Sequence, residues 1–327
     1  MLEKCNQDNR LSTPVLLIAF NRSDTAKNVF ERIRQVKPSQ FYLAVDGARL
    51  DKPGETEMCK QCQEIVELVD WDCEIHTLFR DRNLGCGMGP SSAISWAFET
   101  TDKLIILEDD CLPSLSFFYY CENLLNRYEQ DKRIGIISGL SIHPKSSFFG
   151  EADYLFSHYA HTWGWATWKD RWEQFDIYMS DAPQFLAQGG AANVFASKAV
   201  ATRANKRIQN VFKSINEEVK HSWDTQWDYA RIKNGYIDIV PKVNLIQNVG
   251  AVGGTHESYG GDAVEMSADD LKMPLVHPAF IMLNSEYDKY HYKNYIHVPY
   301  VKLFFQAILN PEKAKYLVSI LKKKISK

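Results

Sequence analysis

From Pro14 to Ser138 the chain alternates short apolar runs with segments whose apolar positions recur at helical spacing, and few folds accommodate that alternation. Pro14 to Phe20, Phe41 to Val45, Cys73 to Phe79, Lys103 to Leu107 and Ile134 to Ser138 read as strands. After the first of them, Ala26, Val29, Phe30, Ile33 and Val36 mark a helix that Ser23 can cap and that ends before Pro38. A turn at Asp51-Lys52-Pro53-Gly54 leads to a second helix around residues 55–69. The glycine-rich turn from Asn83 to Pro90 opens a third, carrying Ile94, Ala97 and Phe98. Repeated strand–helix units predict an α/β fold, Rossmann-like, with a mostly parallel central sheet flanked by helices. In such a sheet the ligand crevice lies at the carboxyl ends of the strands. Asn21-Arg22, Asp46-Gly47 and Glu108-Asp109-Asp110 are therefore expected to converge there.

Glu108, Asp109 and Asp110 follow the apolar run Leu104 to Leu107, so three carboxylates emerge where a buried strand reaches solvent. Adjacent carboxylates repel, and a divalent cation bridged to a ligand's phosphates relieves the repulsion. The plainer reading is a strand end followed by a solvated turn. Arg80, Arg82 and Asn83, ahead of the glycine turn, can face a phosphate or simply form the turn. They are not a P-loop, because no Gly-Lys-Ser/Thr follows. Asp46-Gly47 is likewise either a ligand contact or the turn expected after any strand. Farther along, Asp224 precedes the helical pattern Trp227, Ala230, Arg231, where it can act as a base or as a helix cap. Asp228 is the fallback base, one helical turn later.

With 327 residues, 45% of them hydrophobic, the chain can bury a sizeable core. A net charge of −3 argues against nucleic-acid binding and for a small-ligand partner. No stretch is long and apolar enough to span a bilayer, and Met1 to Asp8 lacks a signal-peptide core, so a cytoplasmic location is expected. Seven cysteines without framework spacing fit a reducing compartment. Cys59 and Cys62, although spaced as CxxC, lie in a helical pattern and are expected to be structural.

Beyond Ser138 come aromatic-rich loops and a polar helical stretch near residues 191–219. The basic tail from Pro311 to Lys324 reads as a terminal helix, either packed on the domain or in peripheral contact with an anionic membrane.

The order of these pieces resembles the GT-A nucleotide-sugar transferases, in particular the N-acetylglucosaminyltransferase I type and its bacterial relatives. Pro14 to Ser23 is similar to that family's first strand with its Asn-Arg-Ser turn. Leu107 to Asp110, followed by Leu112-Pro113 and Phe117-Phe118, is similar to its metal-site strand and next helix. Ser138-Gly139 falls where the next core strand ends. Thr162-Trp163-Gly164-Trp165 resembles its acceptor-side loop, although Trp163 replaces a glycine. Trp223-Asp224, Gly235 and Ile239 to Val243 repeat the spacing from its catalytic aspartate to the next strand.

The resemblance covers about residues 14–256. It implies a GT-A domain over 1–265, with a nucleotide-binding part (about 10–140) and an acceptor-side part (about 141–265), followed by a helical extension over 266–327. It implies an inverting transferase that takes its sugar from a nucleotide-sugar donor, with Mn or Mg held by Asp110. Asn21, Arg22, Asp46, Arg82, Asn83, Glu108 and Asp109 would then contact the donor, and Asp46 would accept the uracil imide proton. Asp224 would be the catalytic base, and Trp163, Gly164, Trp165 and His256 would form acceptor or loop contacts. Trp163, Trp165, Trp168 and Trp172 divide between core packing and a sugar-stacking wall. With no anchor or secretory cysteines in view, the expected acceptor is a glycan or lipid-linked glycan of a bacterial surface polysaccharide. A sugar-1-phosphate nucleotidyltransferase is the rival reading, but Asn21-Arg22-Ser23-Asp24 is not the glycine- and lysine-rich loop such enzymes carry after their first strand. A non-catalytic carbohydrate-binding protein of the same fold is the other rival.

Overall fold

The computed structural model describes residues 10–142, 146–215, 223–250 and 267–296. His256 and the basic tail, both named above, lie outside the described residues. In chain order the elements are β1 (Val15–Ala19), α1 (Ser23–Val36), β2 (Gln40–Val45), α2 (Glu55–Gln63), β3 (Glu74–Phe79), α3 (Gly85–Ala97), β4 (Lys103–Glu108) and β5 (Cys111–Pro113). Then come α4 (Leu115–Arg127), β6 (Ile134–Ser138), β7 (Tyr154–Ser157), β8 (Trp165–Trp168), α5 (Lys169–Trp172) and α6 (Ala182–Ala187). The last are α7 (Lys198–Ile215), α8 (Asp224–Lys233), β9 (Ile237–Pro241), β10 (Ile246–Asn248) and α9 (Ser285–His291).

Eight strands form one mostly parallel sheet in the order β3-β2-β1-β4-β8-β6-β9-β7. The run β3-β2-β1-β4 is parallel throughout, β8 enters antiparallel between β4 and β6, and β7 closes the far edge antiparallel to β9. Side chains alternate across a strand. In β1, Val15, Leu17 and Ala19 accordingly join α1, α2 and α4 on one face, while Leu16 and Ile18 join α3 and α8 on the other. The α/β expectation of a mostly parallel sheet with helices on both faces therefore holds.

Two helix starts differ from expectation by one residue. Arg22, not Ser23, occupies the cap position of α1, and Ser23 is the first helical residue, its hydroxyl donating to Gln61. Trp223, not Asp224, precedes α8 as its cap. In both cases the residue with the capping side chain is already inside the first turn. At the other end of α1, Lys37 adopts a left-handed conformation (φ 46°) with its N–H on the Ile33 carbonyl, and Pro38 prevents continuation.

Within 267–296, Asp270 accepts the Ser116 N–H at the start of α4, Leu271 and Leu275 join the core, and the later residues pack on the β7 edge. Asn284 donates its N–H to the Phe156 carbonyl, and the Ser157 hydroxyl donates to Asp288 at 2.6 Å. Cys59 and Cys62 are buried and unbridged, in agreement with a structural role. No helix among the described residues is long and apolar enough to cross a membrane.

Candidate active site

In the strand order, β1 lies between β2, which follows it in sequence, and β4, which does not, so the chain reverses direction across the sheet there. A reversal of this kind leaves a crevice at the carboxyl ends of the strands. Arg22 leaves the end of β1 and spans the crevice to the end of β4, donating to Asp109 and, at 3.1 Å, to Asp110. Asp109 is buried and also accepts the Phe20 N–H at 3.3 Å. The other terminal nitrogen of Arg22, Nη1, is buried without a hydrogen-bond partner among the described residues.

The chain returns over these acids through β10, which pairs antiparallel with β5, and the Val249 N–H binds the Asp110 carbonyl at 2.8 Å. Gly250 then lies flat against the ion pair. A Cβ there would sit 2.5 Å from Asp110 Oδ2 and 2.6 Å from Arg22 Nη1, so only glycine leaves the pair undisturbed.

Helix α8 brings the last acid. Its ten residues rise about 15 Å, and the five residues of β9 extend about 16 Å. The short turn at Asn234, Gly235 and Tyr236 joins the two head to tail, so Asp224 is carried back to the carboxyl edge of the sheet. There its Oδ1 accepts the Thr225 N–H at 2.7 Å. It stands close enough to Glu108 to add to the repulsion at that carboxylate.

The electrostatic result is a set of acids that resist ionisation. Burial, then Asp110 and Asp109, raise Glu108 to about 8 against the opposing pull of Arg22, and Asp224 adds a smaller push. Burial likewise raises Asp109 to about 6 even though Arg22 pulls it down. The unfolded chain would release these protons near 4.5 and 3.8, whereas the folded chain keeps them to about 8 and about 6. In that window the folded state binds more protons, so stability falls as pH rises. Melting temperatures of the wild type and Glu108→Gln, compared from about pH 5 to about pH 9, are expected to diverge in favour of the variant as pH rises. A constant difference would show that Glu108 titrates normally.

Several expected contacts have other duties. Asp46 accepts the N–H groups of Gly47, Leu84 and Gly85 and the Asn83 side-chain amide at 3.0–3.2 Å, which fills its lone pairs and anchors the start of α3. It thus links the end of β2 to the turn that opens α3, with Asn83 as one of its partners. Arg82 is exposed, and its backbone presses on Gly47, where a Cβ would lie 2.4 Å from the Arg82 carbonyl carbon. Arg80 donates to Ser92 within α3. Asp228 is paired to Arg231 and, at 3.0 Å, to Arg207, which leaves it a poor base. Asn21 faces the same crevice edge and donates to Glu55 at 2.9 Å.

The tryptophans also divide. Trp165, 1% exposed, packs with Trp172, Trp223 and Trp227 at centroid distances of 5.7–6.1 Å, so its acceptor-contact expectation is corrected to core packing. Trp168 and Trp172 are buried too, while Trp163 alone of the four is half-buried. Gly164 has φ 59° and packs on Ile246, where a Cβ would come within 2.3 Å of Cδ1, so it shapes the backbone beneath β10.

Sequence reasoning missed Glu55 and Arg49. Glu55 is 3% exposed, is lowered to about 2 chiefly by Arg49, and receives Asn21 as well. Arg49 lies over the Phe20 ring at 5.4 Å. Among the described residues no group of three or more His, Cys, Asp or Glu side chains is arranged to hold a metal.

No known family model matches the sequence, and no curated protein matches it. Among solved structures, the inositol-1-phosphate CTP transferase from T. maritima superimposes with a TM-score of 0.31 and 11% identity, over 50% of this chain and 73% of its own. The 4-diphosphocytidyl-2C-methyl-D-erythritolsynthase from Anaerococcus prevotii DSM 20548 gives 0.28 and 9%, over 69% and 98%. A UDP-glucose pyrophosphorylase complexed with UDP-glucose gives 0.25 and 11%, over 45% and 62%. Overlaps this slight assign neither a shared fold nor a shared activity.

Proposed function

We propose that the chain is an inverting, metal-dependent glycosyltransferase of the GT-A type, moving a sugar from a nucleoside-diphosphate donor, by preference a UDP-sugar, to a hydroxyl of a glycan or lipid-linked acceptor. Surface polysaccharide synthesis at the cytoplasmic side of a bacterial membrane is the setting that suits it. One observation carries the reading: Arg22 joins Asp109 and Asp110 across the crevice beside β1 and β4, next to Glu108, and α8 carries Asp224 to the same edge of the sheet, near enough to act on Glu108.

The donor set suits a hard cation. Carboxylate oxygens favour Mg or Mn, and such ions are commonly held by one or two carboxylates together with the ligand's phosphates instead of an all-protein cage. Asp110 would hold the ion, which when bound would offset the charge gathering on the departing diphosphate.

The chain's own residues do the rest. The Arg22 guanidinium keeps Asp109 and Asp110 in place, and its Nη1, unpartnered among the described residues beneath Gly250, would be the donor left for the diphosphate. Glu108 and Asp109 accept hydrogen bonds from donor hydroxyls when ionised. Asp224 takes the proton of the acceptor hydroxyl while its oxygen attacks the anomeric carbon and the bond to the diphosphate breaks, which inverts the centre.

UDP-, GDP- and dTDP-sugars incubated with Mn or Mg should show metal-dependent binding and slow hydrolysis to the nucleoside diphosphate. Formation of pyrophosphate from a nucleoside triphosphate and a sugar phosphate would instead assign a nucleotidyltransferase. Binding of glycans without any nucleotide turnover would assign a carbohydrate-binding protein.

A further inference from the structure

Helix α7 carries a charge pattern that the reaction above does not use. At 100° per residue, Lys198, Arg203, Lys206, Arg207 and Lys213 fall on one half of its circumference, and Ala201, Ile208, Val211, Phe212 and Ile215 fall on the other. The helix contains no Asp or Glu, in a chain whose net charge is −3. Its apolar half is already used: Ile208, Val211, Phe212 and Ile215 pack with Met179, Ala182 and Tyr229. Arg207 reaches across to α8, donating to Asp228 at 3.0 Å and to Thr225 at 2.8 Å. Lys198, Lys206 and Lys213 are exposed and form no ion pair among the described residues. The row from Lys198 to Lys213 runs about 22 Å along a straight axis.

We propose that this face docks on an anionic lipid bilayer, with α7 lying along the membrane plane. A single-sign, flat row of lysines complements a sheet of headgroup phosphates, and because the apolar half is packed, attachment is electrostatic and without insertion. Since Arg207 ties α7 to α8, docking would hold Asp224 at a fixed height above the bilayer, where a lipid-linked acceptor presents its hydroxyl. That purpose rests on the glycosyltransferase reading, whereas the docking itself does not.

The full chain, sedimented with phosphatidylcholine vesicles with or without phosphatidylglycerol, is expected to bind only the anionic ones and to release at high salt. The triple variant Lys198→Gln, Lys206→Gln, Lys213→Gln should lower the partition coefficient about a hundredfold, with circular dichroism and UDP binding unchanged. The variant Lys322→Gln, Lys323→Gln, Lys324→Gln separates α7 from the basic tail and should retain most of the binding. No binding to anionic vesicles, equal binding to neutral ones, or binding lost in the tail variant and kept in the α7 variant would overturn the proposal. A preference for soluble heparin over vesicles would overturn it as well. Failure of nucleotide-sugar turnover would leave these readings intact, and a negative vesicle result would leave the chemistry intact.

Discussion

Asp224→Asn should lower kcat by about a hundred- to ten-thousand-fold, the usual contribution of a positioned base. Donor binding in the presence of Mn should change little, because Asp224 belongs to α8 and reaches the β4 acids only through their field. The substitution preserves shape, and the amide oxygen can still accept the Thr225 N–H. Loss of turnover with donor affinity retained, measured by single-turnover kinetics and calorimetric titration, would identify the proton acceptor. Unchanged kcat would move that role away from α8, since Asp228 is already held by two arginines.

Arg22→Ala is the second large effect, and it acts on binding and stability together. The guanidinium is the cation that partners Asp109 and Asp110, and removal of one member of a buried pair commonly costs about 3–5 kcal/mol. Here the loss should be smaller, about 2 kcal/mol, because Arg22 is partly exposed and Asp109 can keep its proton instead of standing as a bare charge. Nucleotide affinity should fall at least tenfold, since a charge-assisted contact to phosphate is worth about 1.5–3 kcal/mol. Arg22→Lys should recover stability better than affinity, a point charge being unable to reproduce the fork that serves both carboxylates and phosphate. Denaturant melts and nucleotide titrations of the two variants would separate the effects, and equal affinity in all three proteins would remove Arg22 from the site.

Four strands of the first half, β1, β2, β4 and β6, were legible because they are largely apolar runs, as strands buried on both faces must be, whereas the edge strand β3 is partly exposed and showed itself by its β-forming residues. β6 spans the very residues expected, and the other four differ by only a residue or so at their ends. β8 was not legible: Trp-Ala-Thr-Trp is too short to show a period, and only its pairing between β4 and β6 makes it a strand. β10 exists for a similar reason, pairing β5 over three residues.

At the site, the acids of β4 and the turn after β1 could be found because polar residues directly follow apolar runs. Their bridge by Arg22 could not, since it joins residues 87 and 88 positions apart. Glu55 was hidden for the same cause: an acid after Lys-Pro-Gly reads as solvated until Arg49 and Asn21 close around it. Asp46 shows the reverse, a residue whose motif fits two roles and whose carboxylate is filled chiefly by amides at the start of α3, more than thirty residues away.

The indole cluster behind α8 has an optical consequence. Trp165, Trp172, Trp223 and Trp227 lie within excitonic coupling range of one another, and Trp223 is bonded in sequence to Asp224. Near-ultraviolet dichroism and intrinsic emission from these rings therefore record how firmly the helix start is seated, so the chain carries its own spectroscopic gauge of where the Asp224 carboxylate stands.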